Sequence, residues 1–269
     1  MSKKLLITFG CSWTYGVGAI WYPGIAHKTY TSFAWNPEAC FKYSYRNLLC
    51  QDLGLENKNF SEGASSNQRQ FRYAKEYFGS DQFKQDLDTY DQIIVLHAIT
   101  STSRNEFFSI KYNQLINILY TMEEKKVSMY TDFIGMFAKF MVMNSYDHNN
   151  EINQLVTEIK FWNTFYKSFN IKNIWVDTFN HHEYNYDIPN LMGSDLIRRD
   201  LMSQLAIENG ITGMDNNYHN SVWEIDSDRV DFLVKKQILN SISMHPTQEG
   251  HKQICKIIKD YFINQNILS

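Results

Sequence analysis

The sequence predicts an α/β protein, a three-layer α/β/α sandwich around a central parallel sheet, and three observations lead there. Short apolar runs at residues 5–9, 93–96 and 174–176 have the form of strands buried on both faces. Stretches with apolar residues at helical spacing lie between them, the alternation that builds parallel sheets. The chain has 269 residues, 43% hydrophobic and 20% charged, with only 4 prolines and 12 glycines, enough for one large core and few flexible linkers. One domain over residues 1–269 is expected.

The first run ends at Gly10 and turns through Cys11-Ser12-Trp13. Residues 24–37 hold neither a helical nor an alternating period, although Trp21, Tyr22, Tyr30, Phe33 and Trp35 make this region strongly aromatic; it reads as a long surface loop or lid. Phe41, Tyr45, Leu48, Leu49 and Leu53 fall at helical spacing before Gly54, which predicts one amphipathic helix. A second strand ends at Asn59-Phe60-Ser61, and the small-residue turn from Glu62 to Asn67 opens a helix reaching about Phe78. The central strand at 93–96 runs into Thr100-Ser101-Thr102-Ser103-Arg104. From about 105 to 170, Leu, Ile, Phe and Met recur at spacings of three and four, which predicts a helical insert. A fourth strand at 174–176 precedes a helix from Ser194 to Asn209, closed by Gly210. Residues 212–228 read as a polar loop near the site, and a last helix starts just after His245 with Thr247 as its N-cap.

Charge and cysteine content narrow the function. With 26 Lys+Arg against 29 Asp+Glu, a net of -3, the chain has no general attraction for nucleic acid or anionic membranes. Cys11, Cys40, Cys50 and Cys255 lie far apart without zinc-like spacing, which favours a reducing, cytoplasmic setting. No apolar stretch approaches the roughly 20 residues that span a bilayer, and the N-terminal run stops at Gly10, too soon for a signal peptide. A soluble protein without membrane insertion is expected.

Ligands of an open parallel sheet bind beyond the carboxyl ends of its strands. There Ser12 sits on a glycine-flanked turn that exposes a hydroxyl and aims its own N–H at the same point. A hydroxyl needs a base within hydrogen-bond reach. Of the 8 histidines, His245 is the best candidate, held by Pro246 at a loop-to-helix junction. Taken singly, a turn serine and a helix-start histidine without catalytic duty are at least as common.

Together these segments resemble the SGNH/GDSL hydrolase family, whose fold is a flavodoxin-like sandwich. Gly10-Cys11-Ser12-Trp13-Thr14 is similar to the family's Gly-Asp-Ser-x-Thr nucleophile block, with Cys11 in the Asp place. Gly63 matches the second-block glycine, and His245-Pro246-Thr247-Gln248-Glu249-Gly250-His251 the terminal block. The resemblance implies Ser12 as nucleophile, His245 as base, and an oxyanion hole from the N–H groups of Ser12 and Gly63. It implies no cofactor and no metal. Two positions depart from the pattern. Thr100 stands where the family has an oxyanion-hole Asn, which leaves Thr100 or Asn67 as the further donor, and Ile242 stands where it has the triad Asp. A backbone carbonyl, or an acid such as Asp226, Asp228 or Asp231, could orient the imidazole instead.

The expected function is hydrolysis of a carboxylic ester, leaning towards acyl groups on carbohydrate, with lipid or aryl esters still open. Trp13 and Arg104 are the candidate substrate contacts; Arg104 could equally pair with Glu106. Missing Asp and Asn residues also fit a different reading, a catalytically impaired module that binds a glycan or protein. Gly16-Val17-Gly18 lacks the continuation of a dinucleotide-binding turn, and His181-His182-Glu183 lacks a partner cluster for a metal.

Overall fold

Four parallel strands form the sheet: β1 (Lys4–Phe9), β2 (Glu56–Asn59), β3 (Gln92–Ile99) and a later strand at Lys172–Asp177, in the order β2-β1-β3 and then that fourth strand. The computed structural model describes residues 2–102, 104–109, 114–119, 148–178, 200–211 and 227–268. Leu5 pairs with Glu56 on one side of β1 and with Ile93 on the other, and Ile94 pairs with Lys172. The apolar runs at 5–9 and 93–96 thus form the two central strands of the sheet and the run at 174–176 an outer one, all buried on both faces.

Alternation along the strands divides the core in two. Leu6, Ile94, Leu96, Ala98, Ile174 and Val176 pack on one face. That face is covered by α4 (Tyr45–Leu53), α8 (Leu201–Glu208), α9 (Ser227–Lys235) and α10 (Gln248–Asn264). Leu5, Ile7, Phe9, Ile93, Val95 and Ile99 pack on the other, beneath α5 (Asn67–Phe78), α6 (Asp81–Thr89) and α7 (His148–Ser168). This is the expected three-layer sandwich. Hydroxyl N-caps set several helix starts: Ser66 accepts from Arg69 N–H, Ser80 from Phe83 N–H, and Thr247 from Gly250 N–H as anticipated. Each such cap contributes about 1 kcal/mol.

Several local expectations are corrected. Residues 24–37 are not a continuous loop, because His27–Phe33 forms α2, with Tyr30 turned inward between exposed neighbours. The single helix expected through Phe41 and Leu53 is two, α3 (Pro37–Tyr43) and α4. Ser44 divides them: its backbone is extended, its N–H closes α3 on Cys40 O and Phe41 O, and its side chain caps Asn47 N–H. Helix α6 escapes the sequence reading because its polar composition hides Phe83 and Leu87 at helical spacing.

The insert expected to be helical from 105 begins instead with an antiparallel hairpin, β4 (Arg104–Ser109) and β5 (Gln114–Leu119). Leu115, Ile116, Ile118 and Leu119 satisfy either period, and a run this short is decided by strand pairing and β-branched content. Its later part does contain a long helix, α7. The fourth strand of the sheet, Lys172–Asp177, is β6. Asn173 Nδ2 and Trp175 Nε1 both donate to Asn163 Oδ1 on α7, which fixes that helix over its own strand. Residues 194–199, most of the 212–228 loop, and His181-His182-Glu183 lie outside the described residues. Among the described residues no helix is long and apolar enough to cross a membrane.

Candidate active site

Three turns at the carboxyl ends of β1, β2 and β3 are stitched together by short hydrogen bonds. Glu62 N–H donates to Gly10 O at 3.1 Å, which brings the turn carrying Gly63 against the turn carrying Ser12. Asn67 binds the Thr100 peptide on both sides, its Nδ2 donating to Thr100 O at 2.8 Å and its Oδ1 accepting from Thr100 N–H at 2.9 Å. The first turn is braced from beneath. Thr14 Oγ1 and the Tyr45 hydroxyl are 2.8 Å apart, and the buried Arg46 guanidinium donates through Nε to Thr14 O at 3.1 Å.

Ser12 opens the short helix α1 (Ser12–Tyr15) and is 5% exposed. Its Oγ lies 2.7 Å from Nε2 of His245, although 233 positions separate the two in the chain. Gly18 allows this approach. At φ +97 it holds a conformation that side chains disfavour, and a Cβ there would meet Pro246 O at 2.5 Å and the His245 Cβ at 2.7 Å. Of the glycine pair after the first strand, Gly18 thus serves close packing of the histidine loop, and Gly16 close packing on Cys40 and Ser44, where an added Cβ would meet Cys40 O at 2.3 Å.

Burial pushes the His245 imidazole down to about 4, opposed by a main-chain hydrogen bond to Ser243 and assisted by the Arg104 cation. The imidazole is therefore a neutral base at pH 7. Its Nδ1 lies 2.9 Å from Ser243 Oγ, and that hydroxyl is 2.7 Å from the Tyr30 hydroxyl and 3.0 Å from Asn240 Oδ1. None of Ser243, Asn240 and Tyr30 was anticipated. The available signal was a hydroxyl two positions before His245, which a search for carboxylates passes over. Of the acids considered, Asp231 on α9 is exposed and Asp226 lies outside the described residues.

The other candidates divide. Cys11 is a buried thiol in the turn. Trp13 is a correction: at 2% exposure it packs with Cys11, Tyr45 and Leu49 in the core, so it has no free face for a substrate ring. Trp35 is the aromatic that faces the site instead, 51% exposed, with its ring 6.2 Å from that of Tyr15. The Trp35 ring also covers Gly63, where an added Cβ would meet it at 2.2 Å. Gly63→Ala is accordingly expected to expel the ring, seen as a shift of tryptophan fluorescence, while thermal stability falls by less than about 2 kcal/mol. An unchanged emission spectrum would show that the ring does not rest there.

Thr100 is fully buried, and its Oγ1 has no partner among the described residues. Arg104 lines a cavity of about 430 Å³ together with Asn67, Gln68, Phe71, Thr102 and Asn105, between α5, β4 and α7. Neither Ser12 nor His245 lines it; Asn67 and Arg104 connect it to the site. Glu106 is engaged by Arg69 and Arg72, which clamp the hairpin onto α5.

A hydroxyl and an imidazole in contact at the carboxyl end of a parallel sheet, the first beside the opening strand and the second before the last helix, define a class: an α/β/α sandwich with a serine–histidine pair at the carboxyl edge of its sheet. No family model matches the chain, and no curated protein does. Solved structures similar to it include an acetyl xylan esterase (Est2A) from the rumen bacterium Butyrivibrio proteoclasticus, 12% identical over 98% of this chain, TM-score 0.44, of whose length the chain spans 64%. A lipolytic G-D-S-L-family protein from Desulfitobacterium hafniense DCB-2 is 13% identical over 96% of this chain and 98% of that one, TM-score 0.33. A lipase/acylhydrolase from Enterococcus faecalis is 10% identical over 98% and 96%, TM-score 0.32. Likeness this loose carries neither residues nor activity across.

Proposed function

We propose that the protein, acting as one domain, hydrolyses carboxylic esters with Ser12 as nucleophile and His245 as base. The observation that carries this reading is the 2.7 Å contact between Ser12 Oγ and His245 Nε2, made by a histidine that burial keeps neutral at pH 7. Ser12 Oγ attacks the acyl carbonyl while Nε2 takes its proton. The resulting oxyanion is received by the N–H groups of Ser12 and Gly63. Thr100 Oγ1 or Asn67 Nδ2 supplies a further donor; the Asn67 amide already holds the Thr100 peptide, whereas the Thr100 hydroxyl has no partner among the described residues. The imidazolium protonates the leaving alcohol, and water releases the acyl group through the same histidine. No cofactor enters this scheme.

The substrate class we favour is an acylated carbohydrate. Amide, hydroxyl and guanidinium groups of Asn67, Gln68, Thr102, Arg104 and Asn105 line the adjoining cavity, and the half-exposed Trp35 offers a ring face beside Gly63. The test is labelling with a fluorophosphonate followed by peptide mapping, beside turnover of p-nitrophenyl acetate and of an acetylated xylo-oligosaccharide. A phosphonyl group on Ser12 with turnover of both esters is the expected result. A folded protein that neither labels nor turns over would replace this reading with that of a glycan- or protein-binding module.

A further inference from the structure

We propose that the Ser243 hydroxyl, oriented by Asn240, takes the place of a triad carboxylate: it accepts the Nδ1–H of His245 and thereby presents a bare Nε2 to Ser12. Ser243 is a positioning residue, and the donor-only and acceptor-only main-chain groups around Asn240 set the starting direction of its network.

Asn240 sets the starting point. Its Nδ2 is 2.8 Å from His245 O, which can only accept, and its Oδ1 is 2.7 Å from Ser243 N–H and 3.2 Å from Ile242 N–H, which can only donate. Main-chain groups therefore determine which way the amide faces. Oδ1 also lies 3.0 Å from Ser243 Oγ and, as an acceptor, takes that hydroxyl's single proton. Ser243 Oγ then has only lone pairs for Nδ1 at 2.9 Å, so Nδ1 carries the imidazole proton. A neutral imidazole has one such proton. Nε2 is consequently unprotonated and accepts from Ser12 Oγ at 2.7 Å.

Tyr30 completes the arrangement from α2. Asn240 Nδ2 reaches its hydroxyl oxygen at 3.4 Å, and the Tyr30 proton goes to the second lone pair of Ser243 Oγ at 2.7 Å. No member of this network is charged.

A neutral acceptor selects the tautomer as a carboxylate does but gives no ionic support to the imidazolium. Among the described residues, the groups around the imidazole are Ser12 from α1, Ser243 with Tyr30 of α2 behind it, Arg104 from β4 and His251 from α10. None of these is an anion, and the Arg104 cation opposes protonation. The acid limb of activity should accordingly lie near the low His245 value of about 4, with a plateau through neutral pH.

The kinetic consequence rests on the ester-hydrolase reading; the tautomer does not. Two readouts on the full chain separate them: ring-nitrogen NMR shifts of ¹⁵N-histidine-labelled protein, and the pH dependence of kcat on p-nitrophenyl acetate, for wild type, Ser243→Ala, Ser243→Thr and Ser243→Asp. The wild type should show the Nδ1–H form of His245. Ser243→Ala should shift the population away from it and lower kcat by about 10- to 100-fold with KM nearly unchanged, since only the main-chain hydrogen bond to Ser243 then holds Nδ1–H. Ser243→Thr should restore both, and Ser243→Asp should raise the acid limb by about one to three pH units. An Nε2–H tautomer in the wild type overturns the proposal. So does a Ser243→Ala variant with wild-type tautomer and kcat, which would assign the positioning to the Ser243 main chain. Tautomer changes as expected in a protein without turnover would uphold the proposal and remove the esterase reading alone.

Discussion

Ser12→Ala is expected to lower ester turnover by on the order of 10⁴-fold or more while leaving the fold intact, and His245→Ala to do the same. The only hydrogen bond that the Ser12 hydroxyl makes among those described runs to His245 Nε2, and the turn is held by main-chain bonds from Gly16 and Val17 N–H to Ser12 O, so the alanine leaves the backbone supported. The double variant is the more informative protein. A nucleophile and base that act as a unit give losses that do not add, so the double variant should be no slower than either single one within about threefold. Steady-state kinetics on p-nitrophenyl acetate, with thermal melts to verify folding, would measure this. Additive losses would mean that the 2.7 Å contact is not catalytic.

The second large effect is acid unfolding driven by buried histidines. His97 is stacked between Phe9 and Trp175 with its Nε2 2.7 Å from the Tyr166 hydroxyl, and burial pushes it down to about 3. His251, whose Nδ1 accepts from Tyr45 N–H at 3.3 Å, is likewise pushed by burial to about 3, and His245 to about 4. An unfolded histidine takes its proton near pH 6.5. Between that value and 3 to 4 the unfolded chain binds more protons than the native one, so stability is full above about pH 6.5 and falls as the pH drops through this window.

At the acid end each histidine costs on the order of a few kcal/mol, against a total of about 5–15 kcal/mol for a typical domain. A progressive loss of stability between pH 6.5 and 4 is the expected outcome. Glu106 and Asp86 contribute lower down: burial raises each, but Arg72 and Arg69 on the first, and Lys58 and Tyr77 on the second, more than offset it, so their stabilisation is lost only below the ordinary carboxylate range. Denaturant titrations at pH 8, 6.5, 5.5 and 4.5 would check the histidine effect. A stability that is flat from pH 7 to 5 would contradict the burial of these rings.

What the sequence determined by itself is what local chemistry can encode. Apolar runs long enough to fill a parallel strand identify β1, β3 and β6, and the cap at Thr247 announces α10. Ser12, Gly63 and His245 stand out because glycine-flanked turns and a histidine before a helix start have recognisable local form. The hairpin β4-β5 does not, since its residues fit two periods and only cross-strand pairing separates them.

Tertiary structure alone decided which aromatic and which hydroxyl matter. Trp13 and Trp35 are both near Ser12 or its turns, yet one is sealed in the core with Tyr45 and Leu49 of α4 and the other covers Gly63 beside Tyr15, because burial depends on which elements pack against each ring. The partner of His245 Nδ1 is a serine whose orientation comes from Asn240 and from Tyr30, 213 residues earlier in the chain than Ser243. Hydroxyls and amides are common on any surface, and their donor or acceptor role is set only when folding brings their partners within about 3 Å.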